Sequence, residues 1–71
     1  MRLARLADDR IRESQALAGL GIAATRRGAF ADAEKLLDDA LQITRDLNLK
    51  LYEGRTLRRI AELWEARGRL D

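Results

Sequence analysis

Residues 17–40 read LAGLGIAATRRGAFADAEKLLDDA, and this stretch decides the fold. It holds two helical patterns joined by a glycine. Ile11, Leu17, Leu20, Gly21 and Ala24 lie on one stripe at helical spacing. Arg26 and Arg27 follow, where cations suit the negative end of a helix dipole. Gly28 then stands where a left-handed residue ends a helix. Beyond it, Ala33, Leu36, Leu37, Ala40, Leu41 and Thr44 form a second stripe. Gly19 and Gly21 each cost a helix about 1 kcal/mol relative to Ala. Glycines tolerated in a helix interior point to close approach of another helix.

Working outward, the same pattern returns forty residues later. Leu17, Leu20, Arg27, Gly28 and Phe30 recur as Leu57, Ile60, Arg67, Gly68 and Leu70. A third helix is predicted over 50–67, with Leu57, Ile60, Ala61 and Trp64 as its apolar stripe and Gly68 as its terminator. Asn48 is the expected left-handed stop between the second helix, 30–47, and the third. At the other end, residues 1–8 read as the tail of a preceding helix. Asp8-Asp9 interrupt the pattern and offer a cap for a helix starting near Arg10. Connections of a few residues make neighbouring helices antiparallel.

Composition supports an all-α chain. The 71 residues contain no Pro, no Cys and no His, and one each of Phe, Tyr and Trp. Leu, Ala, Arg and Glu favour helix, and strand-forming residues are scarce. Without Cys or His there is no disulfide, no Cys/His zinc site and no imidazole or thiolate catalysis. Fourteen basic and twelve acidic residues leave a net charge of +2. The arginines alternate with carboxylates, which describes a solvated helix surface more than a nucleic-acid footprint. No apolar run reaches the roughly 18 residues of a membrane span, and the first residues lack the apolar core of a signal peptide. A cytoplasmic location is expected.

The run Leu17-x-x-Leu20-Gly21-x-x-Ala24, followed by Gly28-x-Phe30-x-x-Ala33-x-x-x-Leu37-x-x-Ala40, resembles a tetratricopeptide repeat. The second copy reads Leu57-x-x-Ile60-Ala61-x-x-Trp64 and then Gly68-x-Leu70. The long period is similar to that of repeats in large bacterial regulators. The resemblance implies antiparallel helical hairpins of a right-handed superhelix, about one and three-quarter units in all. Small residues at Gly21, Ala33 and Ala40 would let helices approach while larger ones fill the gaps.

The resemblance also implies a function: a non-catalytic scaffold for protein–protein interaction, a fragment or partner of a larger regulator. Its first helices would line a groove for a protein or peptide. That places Gln15, Ala18, Ile22, Thr25 and Arg26 in the groove from one unit, and Arg55, Arg58, Glu62 and Glu65 from the next. Ala18 and Ile22 stand where a carboxylate clamp needs polar groups, so no such clamp is expected. Incomplete repeat ends would leave Ile11, Trp64 and Leu70 short of cover and favour self-association. The alternative is a sensor or oligomerisation segment of a transcription regulator, with direct nucleic-acid binding a distant third.

Catalytic and cofactor signals are weak. Gly19-Leu20-Gly21-Ile22-Ala23-Ala24 has the letters of a dinucleotide fingerprint, but no strand precedes it. Asp8-Asp9 and Asp38-Asp39 are adjacent pairs, which diverge on a helix and lack calcium-loop spacing. Ser14, Thr25, Thr44 and Thr56 have no histidine to activate them. No enzyme activity, cofactor or metal is expected.

Overall fold

Helix α1 spans Arg2–Arg26, α2 spans Phe30–Asp46 and α3 spans Lys50–Leu70. The computed structural model describes the backbone of residues 2–70 and the side chains of residues 8–68. Every element among the described residues is helical. The lack of cover expected at Leu70 concerns a residue outside the described side chains.

Two turns of one design join the helices. At the first, Gly28 N–H donates to the Thr25 carbonyl at 3.1 Å and Ala29 N–H to the Ala24 carbonyl at 2.9 Å. This is the paired bonding of a Schellman turn, and Gly28 supplies its left-handed residue with φ 80°. At the second, Asn48 N–H donates to Arg45 at 3.1 Å and Leu49 N–H to Thr44 at 2.8 Å. Asn48 takes φ 55° there, as its sequence position predicted. In each turn the next residue's carbonyl, Ala29 or Leu49, opens the following helix by accepting from Ala33 or Glu53. Each stop therefore doubles as a start, and the chain reverses within three residues.

Two expected helix ends do not form. α1 passes through Asp8-Asp9 without a break. An Asp inside a helix costs only about 0.7 kcal/mol relative to Ala, and neither Gly nor Pro is present to enforce a stop. α3 likewise runs through Gly68. A Schellman turn is helped by an apolar residue after its glycine. Ala29 provides one and packs on the core, whereas Gly68 is followed by Arg69.

The core is built mostly of small side chains. Ala24, Ala33, Leu37 and Leu63 form its centre, and Ala18, Ala29, Phe30, Leu36 and Ile60 pack against them. α1 packs chiefly on α2, α3 also packs on α2, and α1 meets α3 over a narrower zone. Gly21 shows why small residues matter. A Cβ there would lie 2.7 Å from Leu37 Cγ and 2.8 Å from Leu37 Cδ2. The fully buried Leu37 occupies the space that glycine leaves on α1. Nothing stands within 4 Å of a Cβ at Gly19, so the close approach expected there is confined to Gly21.

Three hydroxyls are buried with this core, Ser14, Thr44 and Thr56. Each donates back to its own helix: Ser14 to the Ile11 carbonyl at 2.7 Å, Thr44 to Leu41 at 2.8 Å, Thr56 to Tyr52 at 2.9 Å. Satisfied locally, they act as compact packing groups without demanding a partner across the interface.

The register of α3 departs from the sequence expectation. Among its described side chains Thr56 and Leu63 are the buried ones, with Ile60 half-buried. Leu57 is 43% exposed and Trp64 51%, and Ala61 is exposed as well. Leu20 on α1, also expected inside, is 57% exposed. α3 carries two apolar stripes about 100° apart around the helix. Ion pairs agree with the stripe that is buried. Glu53 meets Arg45 of α2 at 3.7 Å and Arg67 meets Glu34 of α2 at 3.5 Å.

Candidate functional site: a groove between the first and third helices

Two reversals make α1 and α3 run the same way, both packed on α2. Between them lies an open groove of about 400 Å³, within the roughly 300–1,000 Å³ common for ligand clefts. Ser14, Gln15, Ala18, Gly19 and Ile22 line it from α1. Tyr52, Arg55, Thr56, Arg58 and Arg59 line it from α3.

The two walls differ in chemistry. The α1 wall is small and largely apolar, with Ala18 and Ile22 half-buried and Gly19 lacking a side chain. The α3 wall is basic. Arg55 places its guanidinium 5.7 Å from the centre of the Tyr52 ring, a cation–π contact that holds it along the helix. Arg59 donates to Glu62 at 3.1 and 3.3 Å at the rim. Arg55 and Arg58 have no carboxylate within 4 Å among the described residues. Among the described residues no carboxylate lines the groove, so Arg55 and Arg58 give its α3 wall an excess of positive charge although the whole chain is nearly neutral.

Of the nine residues expected in the groove, Gln15, Ala18, Ile22, Arg55 and Arg58 are gathered there. Thr25, Arg26, Glu62 and Glu65 lie beyond its last lining residues, Ile22 and Arg59. Thr25 turns its hydroxyl back to the Gly21 carbonyl at 2.8 Å. Glu62 is held by Arg59. Ser14, Gly19, Tyr52, Thr56 and Arg59 were missed. Tyr52 and Arg59 had a legible signal, since they share the Arg55 face at steps of three and four. Ser14 and Thr56 reach the groove floor from the buried interface, which sequence spacing alone does not separate from solvent.

The remaining motifs resolve simply. Gly19 to Ala24 lies within α1, so its glycines form no phosphate-cradling turn. Asp38 and Asp39 are exposed on α2. Among the described residues, no group of three or more His, Cys, Asp or Glu side chains could hold a metal ion. No described helix is long and apolar enough to cross a membrane. Comparison of the chain with protein-family models, curated proteins and solved structures gives no match.

Proposed function

We propose that this chain is a non-catalytic, tetratricopeptide-like scaffold that presents the α1–α3 groove to a protein partner. The observation that carries this reading is the groove itself, formed by two parallel helices held on one antiparallel helix. Support comes also from the small residues Gly21, Ala33 and Ala40, buried where the resemblance assigns close helix contacts. The mechanism is presentation: a rigid helical frame fixes one apolar and one basic wall, and a peptide segment lies between them. A segment bearing an apolar anchor against Ala18 and Ile22, and carboxylates toward Arg55 and Arg58, fits that lining.

The test is selection of peptides from a random display library, followed by mapping of amide shift changes. Binders should perturb Gln15, Ala18, Ile22 and Arg55 and leave Asp38 and Asp39 unmoved. Binders that cluster on the α2 surface instead would overturn the assignment.

A further inference from the structure

Gly54, Leu57, Ala61, Trp64 and Gly68 follow one another along α3 at alternating steps of three and four. That is the spacing of a coiled-coil seam. All five are exposed. The stripe lies on a different face from Thr56 and Leu63, which meet the core, and from Arg55 and Arg59, which line the groove. A half-exposed Trp and a half-exposed Leu at this spacing make an apolar face that no other described helix covers, with the Arg67 guanidinium 5.2 Å from the centre of the Trp64 ring.

The stripe's own shape narrows what can cover it. Its residues occupy, forty positions on, the places of Leu17, Gly21 and Ala24 in α1, two of which are buried. A helix like α2 would meet a different surface here. Ala61 has the Cβ that Gly21 lacks, and that atom is what Leu37 would strike. Trp64 fills the place of Ala24, which is wholly buried. The order of sizes is small, large, small, large, small, and it reads the same in both directions. In an antiparallel second copy, about a two-fold axis near Ala61, each Leu57 therefore lies across from Trp64 of the other copy, apolar bulk against apolar bulk, and the small residues face one another.

Charge agrees with that arrangement. Arg58 and Glu65 flank the seam on the same side, one heptad apart. In an antiparallel pair each Arg58 comes beside Glu65 of the other copy, twice per dimer. Glu65 is already engaged within the chain, and its two oxygens can accept more than one donor.

We infer that α3 is a self-association helix through which two copies of this chain pair antiparallel. The pairing shares Arg58 with the groove and otherwise uses a different face of α3. Trp64 is the sole Trp, so its emission reports burial directly. The experiment combines sedimentation equilibrium and Trp emission across a concentration series of the full chain. Expected is a shift from monomer to dimer with a parallel blue shift. Ala61→Arg should abolish both while circular dichroism keeps its helical signal. Arg58→Glu and Glu65→Arg should each weaken the dimer about tenfold, and an equimolar mixture of the two should recover it. A monomeric mass with unchanged emission at every concentration would overturn the inference. So would an Ala61→Arg chain that dimerises like the original. A mixture no tighter than its components would overturn the antiparallel pairing.

Discussion

The stripe Leu17, Gly21 and Ala24 on α1 and the stripe Leu57, Ala61 and Trp64 on α3 share one spacing and meet opposite fates. The first turns toward α2, with Ala24 fully covered and Gly21 receiving Leu37. The second faces solvent. The difference lies in what each helix has beside it and in one missing methyl group. α1 has a single neighbour for most of its apolar face. α3 offers two stripes, and α2 covers the one carrying Thr56, Ile60 and Leu63. A sequence echo therefore marks equivalent helices without guaranteeing equivalent packing.

The largest break in the comparison comes from truncating one leucine on each side of it. Leu37→Ala should cost roughly 2–5 kcal/mol, because it removes a fully buried side chain and leaves a cavity over Gly21. In a chain this small that is a large part of the total stability. Leu57→Ala should stay within about 0.5 kcal/mol in the monomer, as a partly exposed surface change. Urea unfolding followed by circular dichroism separates the two. Equal losses would mean that α3 buries its Leu57 stripe in solution.

Filling the notch gives the next effect. Gly21→Leu should overpack the α1–α2 contact by about 1–3 kcal/mol even after its gain in helix propensity. Ala33→Leu and Ala40→Leu should fall in the same range of roughly 1–3 kcal/mol, since both sites are wholly buried. Ala61→Leu, forty residues beyond Gly21, should leave the monomer's thermal midpoint unchanged. A drop for Ala61→Leu matching that of Gly21→Leu would erase the distinction between the stripes.

These residues also show what the sequence could reveal. Three helices, both turn residues and the role of Gly21 follow from local rules, because left-handed stops and helical spacing depend on neighbours within one or two turns. The rotation of α3 does not follow. Leu57, Ala61 and Trp64 are the more apolar stripe, yet Thr56 is the residue buried, its hydroxyl satisfied by Tyr52. Which stripe wins depends on shape and on ion pairs to α2, such as Arg67 with Glu34, which are long-range facts. The groove inherits the same limit. Its α1 wall is legible at Gln15, Ala18 and Ile22, while Glu62 and Glu65, which the resemblance implies as lining, lie past Arg59 on α3.

The turn glycines extend the comparison with a change of sign. Gly28 holds φ 80°, a conformation that costs a residue with a Cβ about 1–2 kcal/mol. Gly28→Ala should therefore lower the thermal midpoint. Gly68, its counterpart forty residues on, lies inside α3 with nothing within 4 Å of an added Cβ. Gly68→Ala should stabilise by up to about 1 kcal/mol through helix propensity. Opposite shifts in two melting curves are the expected result. A loss at both positions would restore Gly68 as a helix stop.

The smallest effect concerns the two Schellman turns, which are alike in hydrogen bonding but differ in the residue at their centre. Asn tolerates the left-handed region better than other residues with a Cβ, because its short side chain can bond locally. Glycine enters that region freely but loses more conformational freedom on folding. For Asn48→Gly these terms oppose each other, and the change should stay within about 0.5 kcal/mol. Gly28→Asn should cost less than Gly28→Ala for the same reason. Measuring both substitutions by thermal melting tests whether the turns are interchangeable parts. If Asn48→Gly destabilises by more than Gly28→Asn, the Asn48 side chain contributes a contact of its own, and the second turn is specified by more than its backbone.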